Sequence, residues 1–152
     1  MFQTIKSDKA PKAIGPYSPA VKLGDFVYMS GQLPVDPQTG QLVSDDISEQ
    51  TKQVFKNIEA VLAEMNLETR HIVKTTVFIT DMAQFTKVNE VYAEYFDEPY
   101  PARSTIQVAA LPLEAKVEIE CLVIDTLAYE AQAKQHGSGC DDCDCGEDSC
   151  CG

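Results

Sequence analysis

One stretch limits the folds open to this chain more than any other. Over residues 47–65, Ile47, Val54, Phe55, Ile58, Val61, Leu62 and Met65 recur at spacings of three, four and seven. Side chains at those spacings share one face of a helix, so the segment predicts a helix with an apolar stripe. Such a stripe must be buried against a second layer. Asp46 or Ser48 stands where an N-cap is needed. The flanking chain supplies the second layer. Ile72–Ile79 is β-branched and aromatic-rich and predicts a strand. Ala20–Leu23 and residues 26–30 flank Gly24-Asp25, the pattern of a hairpin. Residues 2–6 predict a short first strand, and residues 102–108 and 116–124 two more around a loop at Pro112. A second helix begins at Asp81, where Gln84 makes a capping-box-like pair. Phe85, Val88, Val91, Tyr92, Tyr95 and Phe96 form its stripe, and Pro99 and Pro101 stop it. The order β, β-β, α, β, α, β-β predicts an α+β fold with two helices on one face of a mixed sheet.

The body, residues 1–129, is one domain and long enough to build a core without disulfides. Residues 130–139 read as a polar linker ending in Gly-Ser-Gly. Residues 140–152 are a separate object. They hold five of the six cysteines, five acids, no Lys or Arg, and no aliphatic or aromatic side chain. A segment of that kind cannot bury a face and predicts disorder unless a ligand orders it. Apolar runs are only a few residues long, which excludes a membrane-spanning helix. The N-terminus lacks a basic segment followed by an apolar one, so a cytoplasmic protein is expected. A net charge of −12 argues against nucleic acid as a partner, because phosphate backbones are bound by basic footprints.

Few residues can carry chemistry. His71 lies between the first helix and the next strand and reads as an exposed connector; His136 lies in the linker. Neither belongs to a triad or metal-binding pattern. Arg103, one of only two arginines, opens a strand after Pro99-Tyr100-Pro101-Ala102. A guanidinium there can grip a carboxylate with two parallel hydrogen bonds, or pair with an acid of the neighbouring strand. Strand alternation puts Val117, Ile119, Cys121 and Val123 on one face and Glu118, Glu120, Leu122 and Ile124 on the other. One of the two glutamates can take a proton from water, or both belong to a solvated face. The partly apolar second face points to an oligomer. Tyr17 lies in the stiff run Gly15-Pro16-Tyr17-Ser18-Pro19 and can wall a pocket or merely pack the loop. Gly31, after Ser30 at the end of a strand, permits a close backbone approach or an unusual φ. In the tail, Cys140, Cys143, Cys145, Cys150 and Cys151 have spacings suited to thiolate ligation of zinc or another soft metal ion. An acidic tail without a ligand and a redox pair are the other two readings.

Several of these motifs together resemble the Rid (YjgF-type) family. They are Gly15-Pro16-Tyr17-Ser18-Pro19-Ala20, Val27-Tyr28-Met29-Ser30-Gly31-Gln32-Leu33-Pro34, Asn57-Ile58, the run from Lys74 to Ile79, Asn89-Glu90-Val91-Tyr92, Pro101-Ala102-Arg103-Ser104-Thr105, and Leu111-Pro112 with the run from Val117 to Glu120. They occur in family order over residues 1 to about 128. The resemblance is closest to the family's deaminase branch. It implies a chorismate-mutase-like fold and a homotrimer whose sheets form a central barrel, with clefts between subunits. It implies hydrolysis of reactive enamines and imines, such as 2-aminoacrylate and 2-iminobutanoate, to 2-keto acids and ammonia, without a cofactor. These intermediates arise from pyridoxal-phosphate dehydratases. Arg103 would hold the substrate carboxylate, Glu118 would position the attacking water, and Tyr17 would line the cleft across the subunit interface. Ser30, Gly31, Asn89 and Thr105 would border the pocket. Many members carry Cys where this chain has Thr105, which removes a thiol but leaves a water-mediated reaction intact. The alternative is a non-catalytic trimer that senses 2-keto acids or other small carboxylates in the same cleft.

Overall fold

In the computed structural model, which describes residues 1–136, six strands make one sheet. They are β1 (Gln3–Ile5), β2 (Ala20–Leu23), β3 (Phe26–Gln32), β4 (Ile72–Ile79), β5 (Ala102–Gln107) and β6 (Val117–Ile124). Across the sheet the order is β1-β2-β3-β6-β4-β5. β4 and β5 run parallel, and the other pairings are antiparallel. The helices are α1 (Ile47–Ala63), α2 (Phe85–Ala93) and α3 (Leu127–His136). A parallel pair needs a crossover, and α2 lies in the connection between β4 and β5.

The stripe of α1 is the centre of the core. Val54, Phe55, Ile58, Val61 and Leu62 are wholly buried, with Val27 of β3 and Val117, Ile119 and Val123 of β6 in the same cluster. Burying one side chain of this size stabilises by about 1.5–3 kcal/mol. The Asp46 cap, whose carboxylate accepts from the Ser48 and Glu49 amides, adds about 1 kcal/mol. The stripe therefore decides the helix and the cap trims its start. Phe55 stacks on Tyr95 and meets Tyr92 and Phe96 edge-on, which joins α1 to α2. Buried polar groups of α1 hold the loop that follows β3. Asn57 Nδ2 donates to the Leu33 and Val35 carbonyls, each at 2.9 Å, and Gln50 bridges the Ser44 carbonyl and the Lys116 amide. Phe26, Tyr28 and Ile106 stand exposed on the opposite face of the sheet.

The α+β layout with α1 and α2 on one face matches the sequence reading, and Cys121 is buried as its face requires. Two expectations change. A polar linker is expected from residue 130, but Leu127–His136 is a third helix. No Gly or Pro interrupts it, and its residues are mostly strong helix formers. Polar contacts fasten it: Arg70 donates two hydrogen bonds to Glu130, at 2.8 and 3.2 Å, and the Tyr129 hydroxyl donates to Asp25 at 2.7 Å. His71 is buried rather than exposed. Its Nδ1 accepts from the Glu68 amide at 3.0 Å, and Nε2 lies 3.4 Å from the Glu130 carboxylate. The remainder of the expected linker from residue 137 lies outside the described residues.

Candidate active site

Glu118 and Gly31 meet where β3 pairs with β6. In the register Glu118 lies opposite Phe78, on the face away from α1 and α2. A Cβ added to Gly31 would fall 1.8 Å from Glu118 Oε1, so only glycine lets the carboxylate rest there. Glu118 is half-buried and accepts no hydrogen bond from the described residues. Burial, then the neighbouring Glu120 charge, raises its pKa above the ordinary glutamate value. Ser30 fastens the loop bearing Tyr17: its hydroxyl donates to the Ser18 carbonyl at 2.7 Å and its amide to the Pro19 carbonyl at 2.9 Å. Tyr17 is exposed at the junction of two cavities. One of about 400 Å³ is shared with Gly31 and Gln32, and one of about 470 Å³ with Ser30 and Glu120.

Arg103 stands at an edge of the sheet, on β5, two strands from the central β6. Its register partner is Thr75, so it points to the helix-covered side. The guanidinium carbon lies 4.6 Å from the Tyr92 ring centroid and 5.4 Å from that of Phe85. Nη1 donates to Asn89 Oδ1 at 2.8 Å. Among the described residues no carboxylate pairs with Arg103, so the structural ion pair open in the sequence is absent. Thr105 follows two residues on, beside Val77, and shares that side.

The expected site residues thus form two groups. Tyr17, Ser30, Gly31 and Glu118 gather at the β3–β6 end, and Arg103, Asn89 and Thr105 at the β5 edge. Within one chain the sheet separates Arg103 from Glu118, since they project from opposite faces. Phe85, Tyr92 and Thr75 belong to the arginine group, though the sequence presents the two aromatics only as members of an apolar stripe. The signal that could have found them is the spacing of Phe85, Asn89 and Tyr92, which puts all three on one helix face. Burial pushes the Cys121 thiol up to about 12, so it is an unreactive core group. Cys140, Cys143, Cys145, Cys150 and Cys151 lie outside the described residues. Among the described residues no three His, Cys, Asp or Glu side chains are placed to share a metal ion.

Comparison with known proteins places the chain. A family model described as endoribonuclease L-PSP matches residues 7–125. The chain is 49% identical over 120 residues to the chloroplastic Reactive Intermediate Deaminase A of Arabidopsis thaliana, covering 79% of this chain and 64% of that protein. It is 45% identical over 122 residues to the human 2-iminobutanoate/2-iminopropanoate deaminase, covering 80% of this chain and 89% of that one. The crystal structure of E. coli TdcF with bound serine superposes with a TM-score of 0.76 at 44% identity, covering 80% of this chain and 98% of that one. Together with the two residue groups on the sheet, these likenesses show that the chain belongs to the Rid (YjgF-type) family, whose family model bears the endoribonuclease L-PSP description.

Proposed function

We propose that the protein hydrolyses small 2-imino and 2-enamino carboxylates to 2-keto acids and ammonia, in a cleft assembled from two copies of the chain within a homotrimer. The observation that carries this reading is the pair of unmatched charges. Arg103 is held by rings and an amide with no acid to neutralise it, and Glu118 is half-buried with no donor. A small molecule carrying a carboxylate and a hydrolysable carbon answers both. Because the two groups project from opposite faces, one copy supplies Arg103, Asn89 and Thr105 and its neighbour supplies Glu118, Gly31 and Tyr17. The exposed Phe26 and Tyr28 on the open face give the copies an apolar surface to share. TdcF with bound serine is a relative holding a small molecule with the same carboxylate group.

The chemistry asks little of the protein. An enamine tautomerises to an imine, whose carbon is already electrophilic. Arg103 fixes the carboxylate and so orients that carbon. Glu118 takes a proton from water as the water oxygen bonds to the carbon. That proton goes to the nitrogen to complete a carbinolamine. The proton of its hydroxyl then passes by way of Glu118 to the same nitrogen as the C=O bond forms and the C–N bond breaks, so ammonia leaves a 2-keto acid. A raised pKa suits a group that must both take and return a proton. Nuclease action fits poorly with a net charge of −12.

The test is a coupled assay in which a serine or threonine dehydratase generates the intermediate in situ and keto-acid release is followed. Wild type accelerates release. Arg103→Ala loses most of the effect, and Glu118→Gln lowers kcat by about 10²–10⁴. A wild type that binds 2-ketobutyrate but leaves release unchanged overturns hydrolysis in favour of a sensor.

A further inference from the structure

Phe85, Asn89 and Tyr92 occupy positions i, i+4 and i+7 of α2, so they share one face, and all three touch the Arg103 guanidinium. Two are aromatic rings close to the guanidinium carbon, within the range at which a cation is attracted to a ring face. The third accepts a hydrogen bond from Nη1 alone. Tyr92 is itself fixed. Its hydroxyl hydrogen-bonds Thr75 Oγ1 at 2.9 Å, and Thr75 is the strand neighbour of Arg103. The contacts close a circuit: β5 to ring, ring to β4, β4 back to β5. A long, flexible arginine at an exposed sheet edge would otherwise lose side-chain entropy on gripping a ligand. Here that ordering precedes binding. The arginine carries no acid partner, so the circuit holds the cation without neutralising it.

We propose that Phe85 and Tyr92 are positioning residues for substrate, a two-ring platform that presets the Arg103 fork for a carboxylate. The inference rests on the reading of Arg103 as the carboxylate anchor. The carboxylate is bonded to the reacting carbon but keeps its charge throughout the reaction, so the Arg103 fork holds it alike in ground and transition states. Loss of the platform therefore weakens binding rather than the chemical step.

Phe85 is the residue to change, because Tyr92 also packs against Phe55 and Phe96 in the core and its loss would disturb folding. Phe85→Leu removes the ring while staying apolar, and Phe85→Tyr restores it. The imine assay gives kcat and KM, and calorimetry with 2-ketobutyrate gives Kd without turnover. Phe85→Leu is expected to raise KM and Kd about three- to tenfold with kcat within about twofold, and Phe85→Tyr to return both to the wild-type range. A purely structural role would lower the active fraction, reducing apparent kcat at unchanged KM, and that result overturns the platform. Unchanged KM and Kd in Phe85→Leu overturn it too, as does a Phe85→Tyr chain as impaired as Phe85→Leu. Arg103→Ala run alongside separates the two claims. If it loses binding while Phe85→Leu does not, only the platform falls. If Arg103→Ala binds and turns over normally, or wild type does neither, the anchor reading falls and the platform with it.

Discussion

Burial holds the Glu118 carboxyl above its ordinary range, and the like charge of Glu120 adds to the effect. Only the ionised form can take a proton from water, so turnover falls as pH drops through the raised pKa. The acid limb of the kcat profile should therefore lie above about 4.3, the value of an unperturbed glutamate. Glu120→Gln removes the repulsion and should move that limb to lower pH; a limb that stays put would deny the coupling. The same shift has a stability side. The folded chain holds the Glu118 proton more tightly than the unfolded chain, so stability declines as pH rises through that window. Gly31 acts at this residue too. In Gly31→Ala the new methyl meets the movable tip of Glu118, at 1.8 Å from Oε1. The side chain can swing away at small cost, but then it no longer points at the water. Calorimetry should show a melting temperature close to wild type while kcat drops tenfold or more, on the order expected for misplacing a catalytic group.

Among the elements, α1 was legible from its stripe alone, because burial of one face and the 3.6-residue period are local facts about sequence. β2, β4 and both main helices followed from the same kind of pattern. α3 was not legible, since it has no apolar stripe and is fastened by Arg70, Asp25 and Thr126, residues distant in sequence or outside the helix. Arg70 holds the Glu130 carboxyl down at about 2, with Thr126 helping. A depressed carboxylate contributes its stability above the unfolded value of about 4.3 and loses it as pH falls toward 2. Hydrogen exchange of residues 127–136 should speed up in Glu130→Gln at neutral pH. The gap from wild type should close in strong acid, and equal exchange at neutral pH would make the Arg70 pair incidental. His71 was misread for the same reason, being buried by contacts with Glu68 and Glu130 that a linear reading does not show. For the cysteine tail, cadmium titration of the whole chain against one stopped at Gly137 separates metal ligation from the other two readings. A thiolate charge-transfer band confined to the whole chain supports ligation, and its absence leaves an acidic or redox-active tail.

At the scale of the whole molecule, a sheet that divides Arg103 from Glu118 makes the proposed activity depend on assembly. Mixed oligomers test this directly. Arg103→Ala and Glu118→Gln chains are each inactive alone, but unfolded together and refolded they should regain activity. With random mixing, about a quarter of the clefts receive both intact groups. A mixture as inactive as its parents would place both groups in one chain's site. Tyr28→Glu on the open face should abolish assembly and activity together, as read by sedimentation and the imine assay. The sequence by itself determined the two-layer α+β order, the faces of β6, and the residue types able to hold a carboxylate and move a proton. Periodicity, capping and motif order are properties of neighbouring residues, and a chain carries them unfolded. Only the tertiary structure decided that Arg103 and Glu118 project from opposite faces, that two rings of α2 cradle the guanidinium, and that Gly31 makes room for a carboxylate. Each of these depends on strand register, and register is fixed only when distant segments pack together.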